Sequence, residues 1–422
     1  MPSIELQRWF SRSAGPCAAA SSPRRHLPFA RWGLALTIVL LAGCGGDSSI
    51  TLDFGERAED PAFAWNIPAR IPLPVVPEDN PMTEEKFQLG RHLFYDKRLS
   101  ANGTIACASC HHQELAFSDG RKRPVGATGE PHPRNAQPLV NVAFNATFNW
   151  ANPSVITLEE QVMTPLFGDD PIEHGINDSN LPLILETLRA DHEFAERFQA
   201  AFPEDEDPVS VHRIVQALAT FVRGIVSFET AFDCYNEGDR TAMSSRARRG
   251  MDLFFSERFE CFHCHGGYNL TNSVFDSGMF IRERPFHNTG LYNIDGLGGY
   301  PWPNTGIHEI TGRADHMGRF RAPSLRNVAV TAPYNHDGST ETLRDVIRNY
   351  ASAGRNITEG PFPGDGRMNP FKDGFVVGFS MTDDELEELM AFLEALTDYD
   401  ILANPRFSDP KHDAPADRGE LR

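Results

Sequence analysis

The sequence lacks any apolar run long enough to cross a membrane, and it is poor in basic residues. Its 422 residues include 39 Lys and Arg against 58 Asp and Glu, which gives a net charge of −19. A surface of this sign repels nucleic acid and anionic lipid, so a nucleic-acid-binding function is excluded. No alternating pattern of apolar and polar residues persists, which favours a mostly α fold. Apolar residues still make up 40% of the chain, enough for two or three domains with buried cores.

The N-terminus has the features of a targeting segment. Arg24, Arg25 and Arg31 precede an apolar run at residues 33–42, and the sequence Leu-Ala-Gly-Cys ends at Cys44. The run is too short for a permanent transmembrane helix. A small-residue site ending in Cys resembles the lipobox of bacterial lipoproteins, and an ordinary secretory signal is the alternative. We therefore expect residues 1–44 to be a lipoprotein signal peptide, with the mature protein in the periplasm and lipid-anchored to the membrane through Cys44.

Four of the seven Cys residues form two copies of the pattern C-x-x-C-H. The copies are Cys107-Ala-Ser-Cys110-His111 and Cys261-Phe-His-Cys264-His265. This pattern is the attachment signature of c-type haem, in which both thiols bind the porphyrin and the His ligates iron. A shared zinc site and a redox C-x-x-C pair are the alternatives. A redox pair does not require the following His, and two such copies in an exported protein favour two covalently attached haem c groups.

The segment before each motif is also repeated. Residues 90–99 match residues 250–259, and each copy reads as an amphipathic helix that leads into the C-x-x-C-H loop. An internal repeat of this kind indicates two copies of one structural unit, here two cytochrome c-like haem domains with long Gly/Pro-rich loops. The expected divisions are a flexible tether at 45–80, a first haem domain at 81–235, a second at 236–402 and a loose tail at 403–422.

Helices can be predicted from apolar periodicity and from capping residues. Periodicity indicates helices within residues 181–202, 209–232 and 340–352. Thr83 is a candidate N-cap for the helix of the first repeat, and Thr382 with Glu385 forms a capping box for the last helix.

The paired motifs in a duplicated chain resemble the bacterial di-haem cytochrome c peroxidase family, and within it the MauG branch. The resemblance runs from about residue 80 to 400 and is carried by the segments at 89–96, 134–136, 158–161, 171–175 and 322–328. The segments at 64–66, 251–258 and 286–292 are most similar to the methanobactin-associated, MbnH-like di-haem enzymes. Those enzymes oxidise Trp on a partner protein to kynurenine.

The resemblance implies that the haem of His111 binds peroxide, with Gln161 and Glu173 on its distal side. Cleavage of the O–O bond requires a proton to move between the two oxygens, which suits a carboxylate within hydrogen-bond reach. A plain loop carboxylate is the alternative for Glu173. In the peroxidases a loop His can close this site at rest. His132 lies beyond the corresponding position, so we expect it on the surface and expect the iron to be open.

The second haem, held by His265, requires an upper ligand. Met317, Tyr334 and Tyr350 are the candidates, and the resemblance selects Tyr350, although a Tyr on this apolar helix face would otherwise be a core residue. A Met ligand would raise the potential and suit electron entry, whereas an oxygen donor favours Fe(III) and higher states. Tyr350 therefore argues for substrate oxidation.

Further positions match residues that lie between and around the haems of the family. Trp150 matches a Trp that relays charge between the irons, and a lone Trp would otherwise be core. Asn141, Thr331 and Pro333 match the oxygen ligands of an inter-haem Ca²⁺. Phe259 replaces a surface Trp used by MauG as an exit for oxidising equivalents, so the exit must differ here. The candidates for pairing with haem propionates, or for surface roles, are Arg319, Arg321 and Arg326.

Three functions are compatible with these residues. In the leading hypothesis hydrogen peroxide generates a high-valent iron intermediate that oxidises Trp on a partner protein, for this branch an MbnP-like copper-binding protein. The alternative is a cytochrome c peroxidase that reduces peroxide to water with electrons from a small redox protein. The non-enzymatic alternative is a di-haem electron carrier with both irons six-coordinate.

Overall fold

The computed structural model describes residues 63–412. The predicted signal peptide, its Cys44 and the first part of the predicted tether lie outside the described residues. The described part is mostly helical, in agreement with the sequence, and its sheet consists of the two-residue strands β1 Asn356–Ile357 and β2 Gly364–Asp365, paired antiparallel. Within residues 63–412, no helix combines the length and apolar character that a bilayer span needs.

The helices divide between the two halves of the chain. The first half contains α1 Glu84–Phe94, α2 Leu158–Phe167, α3 Leu181–Ala190, α4 His192–Ala201, α5 Val211–Gly224 and α6 Ala231–Asn236. The second half contains α7 Ser245–Phe254, α8 Phe262–His265, α9 His308–Thr311, α10 Leu343–Ala351 and α11 Asp383–Glu394. Long loops and short 3₁₀ turns connect these helices.

The predicted helix caps are confirmed by the structure. The Thr83 hydroxyl accepts the N–H of Lys86 at the start of α1. Thr382 and Glu385 form a reciprocal capping box at the start of α11. The periodic stretch at 181–202 is two helices rather than one, because the Asp191 carboxylate accepts N–H groups of the next turn and so begins α4.

The repeated segment makes the same helix crossing in both halves. α1 packs against α5 at Gly90, where an added Cβ would lie 1.9 Å from the carbonyl oxygen of Ala217. α7 packs against α11 at Gly250, where an added Cβ would lie 1.8 Å from the carbonyl oxygen of Glu388. Each glycine therefore allows two helix backbones to approach more closely than any side chain would permit. The sequence repeat is thus also a repeat of tertiary packing.

A separate hydrophobic core surrounds each crossing. The first core is rich in aromatic rings, among them Phe87, Phe94 and Phe221, which are fully buried. The second core is built around Phe392, which contacts the ring of Phe254 at 5.2 Å between centroids. The domain boundary placed at residue 235 stays a prediction.

Both ends of the described chain pack against the first core. Phe63 and Ile71 are buried in the stretch predicted to be a flexible tether. Phe407 is buried in the stretch predicted to be a loose tail, and its carbonyl accepts the Tyr95 hydroxyl at 2.7 Å. These apolar residues remove too much surface from water to remain loose. The expectation of mobility is therefore corrected for residues 63–80 and 403–412.

The crossing glycines give a test of the repeated packing. Gly90→Ala and Gly250→Ala should each lower the thermal unfolding midpoint of the haem-loaded protein, because the methyl group must push two backbones apart at a cost of roughly 1–3 kcal/mol or more. Gly374→Ala is the control, since its added Cβ meets no atom within 4 Å. Midpoints equal to that of the control would refute the close crossing.

Candidate haem sites

The first C-x-x-C-H motif presents a histidine with a defined tautomer. Nδ1 of His111 lies 2.7 Å from the carbonyl oxygen of Phe117. A carbonyl can only accept, so Nδ1 carries the proton and Nε2 keeps its lone pair, as an iron ligand requires. Burial lowers the pKa of His111, which favours the neutral ring. Cys107 and Cys110 lie beside it and are not joined in a disulfide, so both sulfur atoms are available for a haem.

Glu173 lies close enough to this motif to act on it electrostatically. Its charge raises the pKa of both Cys107 and Cys110, after the larger effect of burial. Oε1 of Glu173 is 3.3 Å from Nε2 of His132. Burial would raise the pKa of Glu173, but the hydrogen bond and charge of His132 outweigh it and the pKa is lowered. The group is therefore a carboxylate that can accept a proton.

The position of His132 differs from the surface location expected from the sequence. Residues 124–132 fold back on themselves, with a bridge between Val125 and Pro131, and the His132 N–H donates to the carbonyl of Pro124 at 2.7 Å. The fold returns His132 to Glu173, with its side chain 22% exposed. The number of residues between His132 and its neighbours in the sequence did not predict that the loop brings it back to Glu173.

Gln161 lies on α2, whose C-terminal part is hydrogen bonded to the segment of Glu173. The carbonyl of Pro165 in this helix accepts the N–H of His174 at 2.9 Å. Oε1 of Gln161 is buried with no hydrogen-bond partner among the described residues. A buried amide oxygen of this kind is compatible with a ligand site, and the place of Gln161 on the distal side of the first haem stays a prediction.

The second C-x-x-C-H motif lines a cavity with about 1720 Å³ of atom-free space, part of it open to solvent. Cys261, Cys264 and His265 form one wall. Nδ1 of His265 contacts the carbonyl oxygen of Leu270 at 3.3 Å, and burial lowers the pKa of the ring to about 4. The neutral ring again leaves Nε2 for a metal.

The three candidates for the upper ligand of this site differ in whether they line the cavity and, for the two tyrosines, in whether the hydroxyl already has a hydrogen-bond partner. Met317 is not among the described residues that line the cavity. Tyr334 lines the cavity, but its hydroxyl donates to the carbonyl of Val328 at 3.0 Å. Tyr350 lines the cavity with no protein hydrogen bond recorded for its hydroxyl within residues 63–412. Burial, followed by the two motif thiols, raises the pKa of Tyr350. Tyr350 is therefore the candidate whose oxygen is available.

Arg321 provides an independent test of whether a haem fits here. The side chain is 3% exposed and lines the cavity, and its Nε–H has no partner in the described part of the chain. Burial lowers the pKa of Arg321 to about 10. A buried cation with a free N–H suits an anionic group such as a propionate. Arg326, the other buried candidate, instead forms an ion pair with Asp233 at 2.8 Å.

The structure gives no support to a zinc site shared by the two motifs. Across residues 63–412, ligand-type atoms gather at metal-binding spacing only at Glu257, Glu260 and His263. Neither C-x-x-C-H pair takes part in a group of four ligands, which structural zinc requires. Haem attachment remains the interpretation that the motifs and their surroundings fit.

Trp150 belongs to the second cavity and is hydrogen bonded towards residues near the first motif. The indole lines the cavity, and its Nε1–H donates to the carbonyl of Asn135 at 3.0 Å. The Asn135 side chain donates to the backbone carbonyl of Arg121 at 2.8 Å. The charge of Arg121 acts on Cys110 of the first motif. A relay of charge between the two haems through Trp150 stays a prediction.

The predicted calcium ligands are only partly brought together. Thr331 and Pro333 line the second cavity. Asn141 does not line it, and its side chain bonds to the backbone N–H and carbonyl of Ser227 at 2.7 and 2.8 Å. Asn141 is thus occupied elsewhere, which corrects its assignment. Asn135 lines the cavity together with Thr331 and Pro333.

Comparison with known proteins agrees with this geometry. A family model described as di-haem cytochrome c peroxidase matches residues 84–241. The methylamine utilization protein MauG of Methylorubrum extorquens is 32% identical over 356 residues, which are 84% of this chain and 89% of the relative. Cytochrome c551 peroxidase of Pseudomonas aeruginosa is 28% identical over 318 residues, 75% of this chain and 80% of the relative.

A solved structure is more similar still. The crystal structure of a MauG-like protein associated with microbial copper homeostasis superposes with a TM-score of 0.82 at 51% sequence identity. The match covers 83% of this chain and 100% of that one. The fold and both motif-bearing regions therefore have a counterpart of known structure.

Removing the Tyr350 hydroxyl tests its availability to the second haem. Tyr350→Phe should alter or abolish the low-spin electron paramagnetic resonance signal of the ferric protein, while both covalent haems stay attached. Tyr95→Phe is the matched control, because it also removes a buried hydroxyl, one bonded to the Phe407 carbonyl. A spectrum that is the same in both variants would exclude Tyr350 as a ligand.

Proposed function

The chain belongs to the di-haem cytochrome c peroxidase family and is a peroxide-dependent oxidoreductase with two haem c groups, and we propose that it uses hydrogen peroxide to oxidise a Trp side chain of a partner protein to kynurenine. The chain is 51% identical to a MauG-like protein associated with microbial copper homeostasis, which supports a copper-binding, MbnP-like protein as that partner. The alternative is peroxide reduction with electrons from a small redox protein.

The observation that carries the proposal is the phenol at the second haem cavity. Tyr350 lines this cavity, and none of the described lining residues is Met. An oxygen donor stabilises iron in its ferric and higher states, whereas Met would favour the reduced state suited to electron entry. A site of this kind favours withdrawing electrons from a substrate over receiving them from a carrier.

The residues of the first site manage protons. When bound, haem supplies an iron that accepts peroxide and takes up its oxidising equivalents. Glu173 is held ionised by His132, so its carboxylate can receive a proton from one peroxide oxygen and return it to the other. The Gln161 amide, whose oxygen has no protein partner within residues 63–412, can orient the bound molecule by hydrogen bonding.

The atoms and electrons of the proposed reaction balance with two molecules of peroxide per Trp. Opening of the indole ring to N-formylkynurenine removes four electrons and four protons from the substrate and inserts two oxygen atoms taken from two molecules of water. The four electrons and four protons reduce the two peroxides to four molecules of water, so the net reaction releases two. Hydrolysis then gives kynurenine and formate. Trp150, between the two motifs, is suited to carry oxidising equivalents from the first site to the second, where the partner would dock.

Three further features belong to the proposal. The N-terminal sequence supports export to the periplasm and a lipid anchor on Cys44. The acidic surface is compatible with a protein partner and with no nucleic acid. A Ca²⁺ between the haems would take its ligands from the Asn135 side chain and from the carbonyls of Thr331 and Pro333, because these oxygens share one cavity and suit a hard cation.

Glu173→Gln tests proton transfer at the first site. The amide keeps the shape but cannot hold a proton, so the rate constant of the haem reaction with peroxide should fall by roughly 10²–10⁴-fold. Stopped-flow absorbance measures this rate. Glu130→Gln is the control, because Glu130 is an exposed carboxylate on the neighbouring loop that carries His132. An unchanged rate in Glu173→Gln would remove the carboxylate from the mechanism.

Product analysis separates the proposed function from its alternative. Purified protein is mixed with peroxide and with the protein encoded next to it, and tryptic peptides are examined by mass spectrometry. We expect kynurenine at a Trp of that protein, formed only with peroxide present. A parallel assay replaces the partner with a reduced small cytochrome c. Rapid oxidation of the cytochrome with no modified Trp would instead establish the peroxidase activity.

A further inference from the structure

We propose that Tyr292 and Asp337 form a proton-coupled redox pair through which oxidising equivalents leave the second haem cavity. The inference rests on the proposed peroxide-driven oxidation and extends it to the exit route. Phe259, at the position where the family resemblance would place a surface Trp as exit, is 3% exposed and has no oxidisable N–H or O–H group.

The pair is buried and tightly hydrogen bonded. The Tyr292 hydroxyl donates to Oδ2 of Asp337 at 2.6 Å. The two residues are 6% and 5% exposed. Oδ1 of Asp337 accepts the N–H of Ser339 at 3.0 Å. Burial would raise the pKa of Asp337, but His336 and the hydrogen bonds from Tyr292 and Ser339 outweigh it, so the carboxylate is ionised.

The ionised state of Asp337 matters because a phenol that loses an electron also has to lose its hydroxyl proton. A neutral phenol is a weak acid with a pKa of about 10, whereas the radical cation formed by removing one electron is a strong acid. One-electron oxidation of a buried Tyr is therefore favourable only when a base can take the proton at the same time. A carboxylate oxygen at hydrogen-bond distance meets that requirement.

Most other buried Tyr hydroxyls of the described chain lack such a base. Tyr300 donates to the amide oxygen of Asn288 at 2.8 Å. Tyr95 and Tyr334 donate to backbone carbonyls. Amide and carbonyl oxygens accept hydrogen bonds but are far too weakly basic to hold a proton. Tyr268 is the remaining competitor, because its hydroxyl donates to Asp276 at 2.8 Å.

Position decides between the two Tyr–Asp pairs. The ring of Tyr292 meets that of Tyr300 edge-on at 5.4 Å, and Tyr300 lines the haem cavity. Both tyrosines share an apolar cluster with Trp150. The rings around Tyr268 are Phe144 and Phe228, and neither lines the cavity.

Tyr292 also leads towards solvent. The Phe362 ring packs against its other side at 6.3 Å and is 36% exposed. A hole on Tyr292 is thus one ring away from a surface that a partner can touch. Tyr300 provides the packed contact with the cavity, and Tyr292 is the residue on which the oxidised state, a tyrosyl radical, is stabilised.

Electrons and protons balance over one cycle of the pair. Tyr292 gives one electron to the peroxide-oxidised haem centre and passes its hydroxyl proton to Asp337, leaving a neutral tyrosyl radical. The partner's Trp then gives one electron to this radical, and Asp337 returns the proton. Each peroxide, reduced by two electrons to two molecules of water, turns the pair over twice.

The test is electron paramagnetic resonance of the haem-loaded protein, frozen after mixing with peroxide in the absence of a partner. We expect a radical whose hyperfine structure narrows when the protein contains ring-deuterated Tyr. Tyr292→Phe should abolish this signal. Asp337→Asn keeps a hydrogen-bond acceptor but removes the base, so it should also abolish the signal, and Asp337→Glu should restore it. Tyr268→Phe and Tyr95→Phe should retain it.

The outcomes separate this inference from the function on which it rests. A tyrosyl signal that survives in Tyr292→Phe, or that disappears in Tyr268→Phe, overturns the assignment. The same holds if peroxide changes the haem absorbance but no tyrosyl radical forms in the parent protein. Haem absorbance that does not respond to peroxide overturns the proposed function, and the redox pair with it. Covalent haem content and thermal unfolding confirm that each variant is folded.

Discussion

Each motif histidine is fixed by a hydrogen bond to the protein's own backbone, and the rest of the site is arranged around that constraint. His111 bonds to the carbonyl of Phe117 and His265 to that of Leu270, six and five residues further on. The bond sets the tautomer and the direction of the ring, so the side from which each motif would hold a haem is determined locally. The two sites differ instead in the other side chains that surround them.

The two halves share the same helix packing, but the reactive side chains of their sites differ. Gly90 and Gly250 make equivalent helix crossings, which shows that the packing unit was kept in both copies. The first copy faces Glu173 and His132, a pair that handles protons. The second faces Tyr350 in a cavity that also holds Trp150 and Arg321. These differences support the proposal that the first copy receives the oxidant and that the second holds charge and passes it on.

Sequence was most informative where the signal is local. The C-x-x-C-H motifs, the repeat and the caps at Thr83 and Thr382 depend on neighbours a few residues away, and they could be predicted. His132 could not be placed, because its position depends on a loop that folds back, and the hydrogen bonds of Asn141 could not be foreseen because Ser227 lies 86 residues further along the chain. Burial of Phe407 depends on contacts with α1, more than three hundred residues away.

The fold-back of residues 124–132 depends on a residue with no side chain. At Gly126 an added Cβ would lie 2.1 Å from the carbonyl oxygen of Ile172, and the neighbouring Ala127 N–H donates to the carbonyl of Glu173 at 2.7 Å. A single methyl group there would lift the loop and carry the imidazole of His132 away from its counter-charge. The ionisation of Glu173 thus depends on a position that contributes no reactive atom.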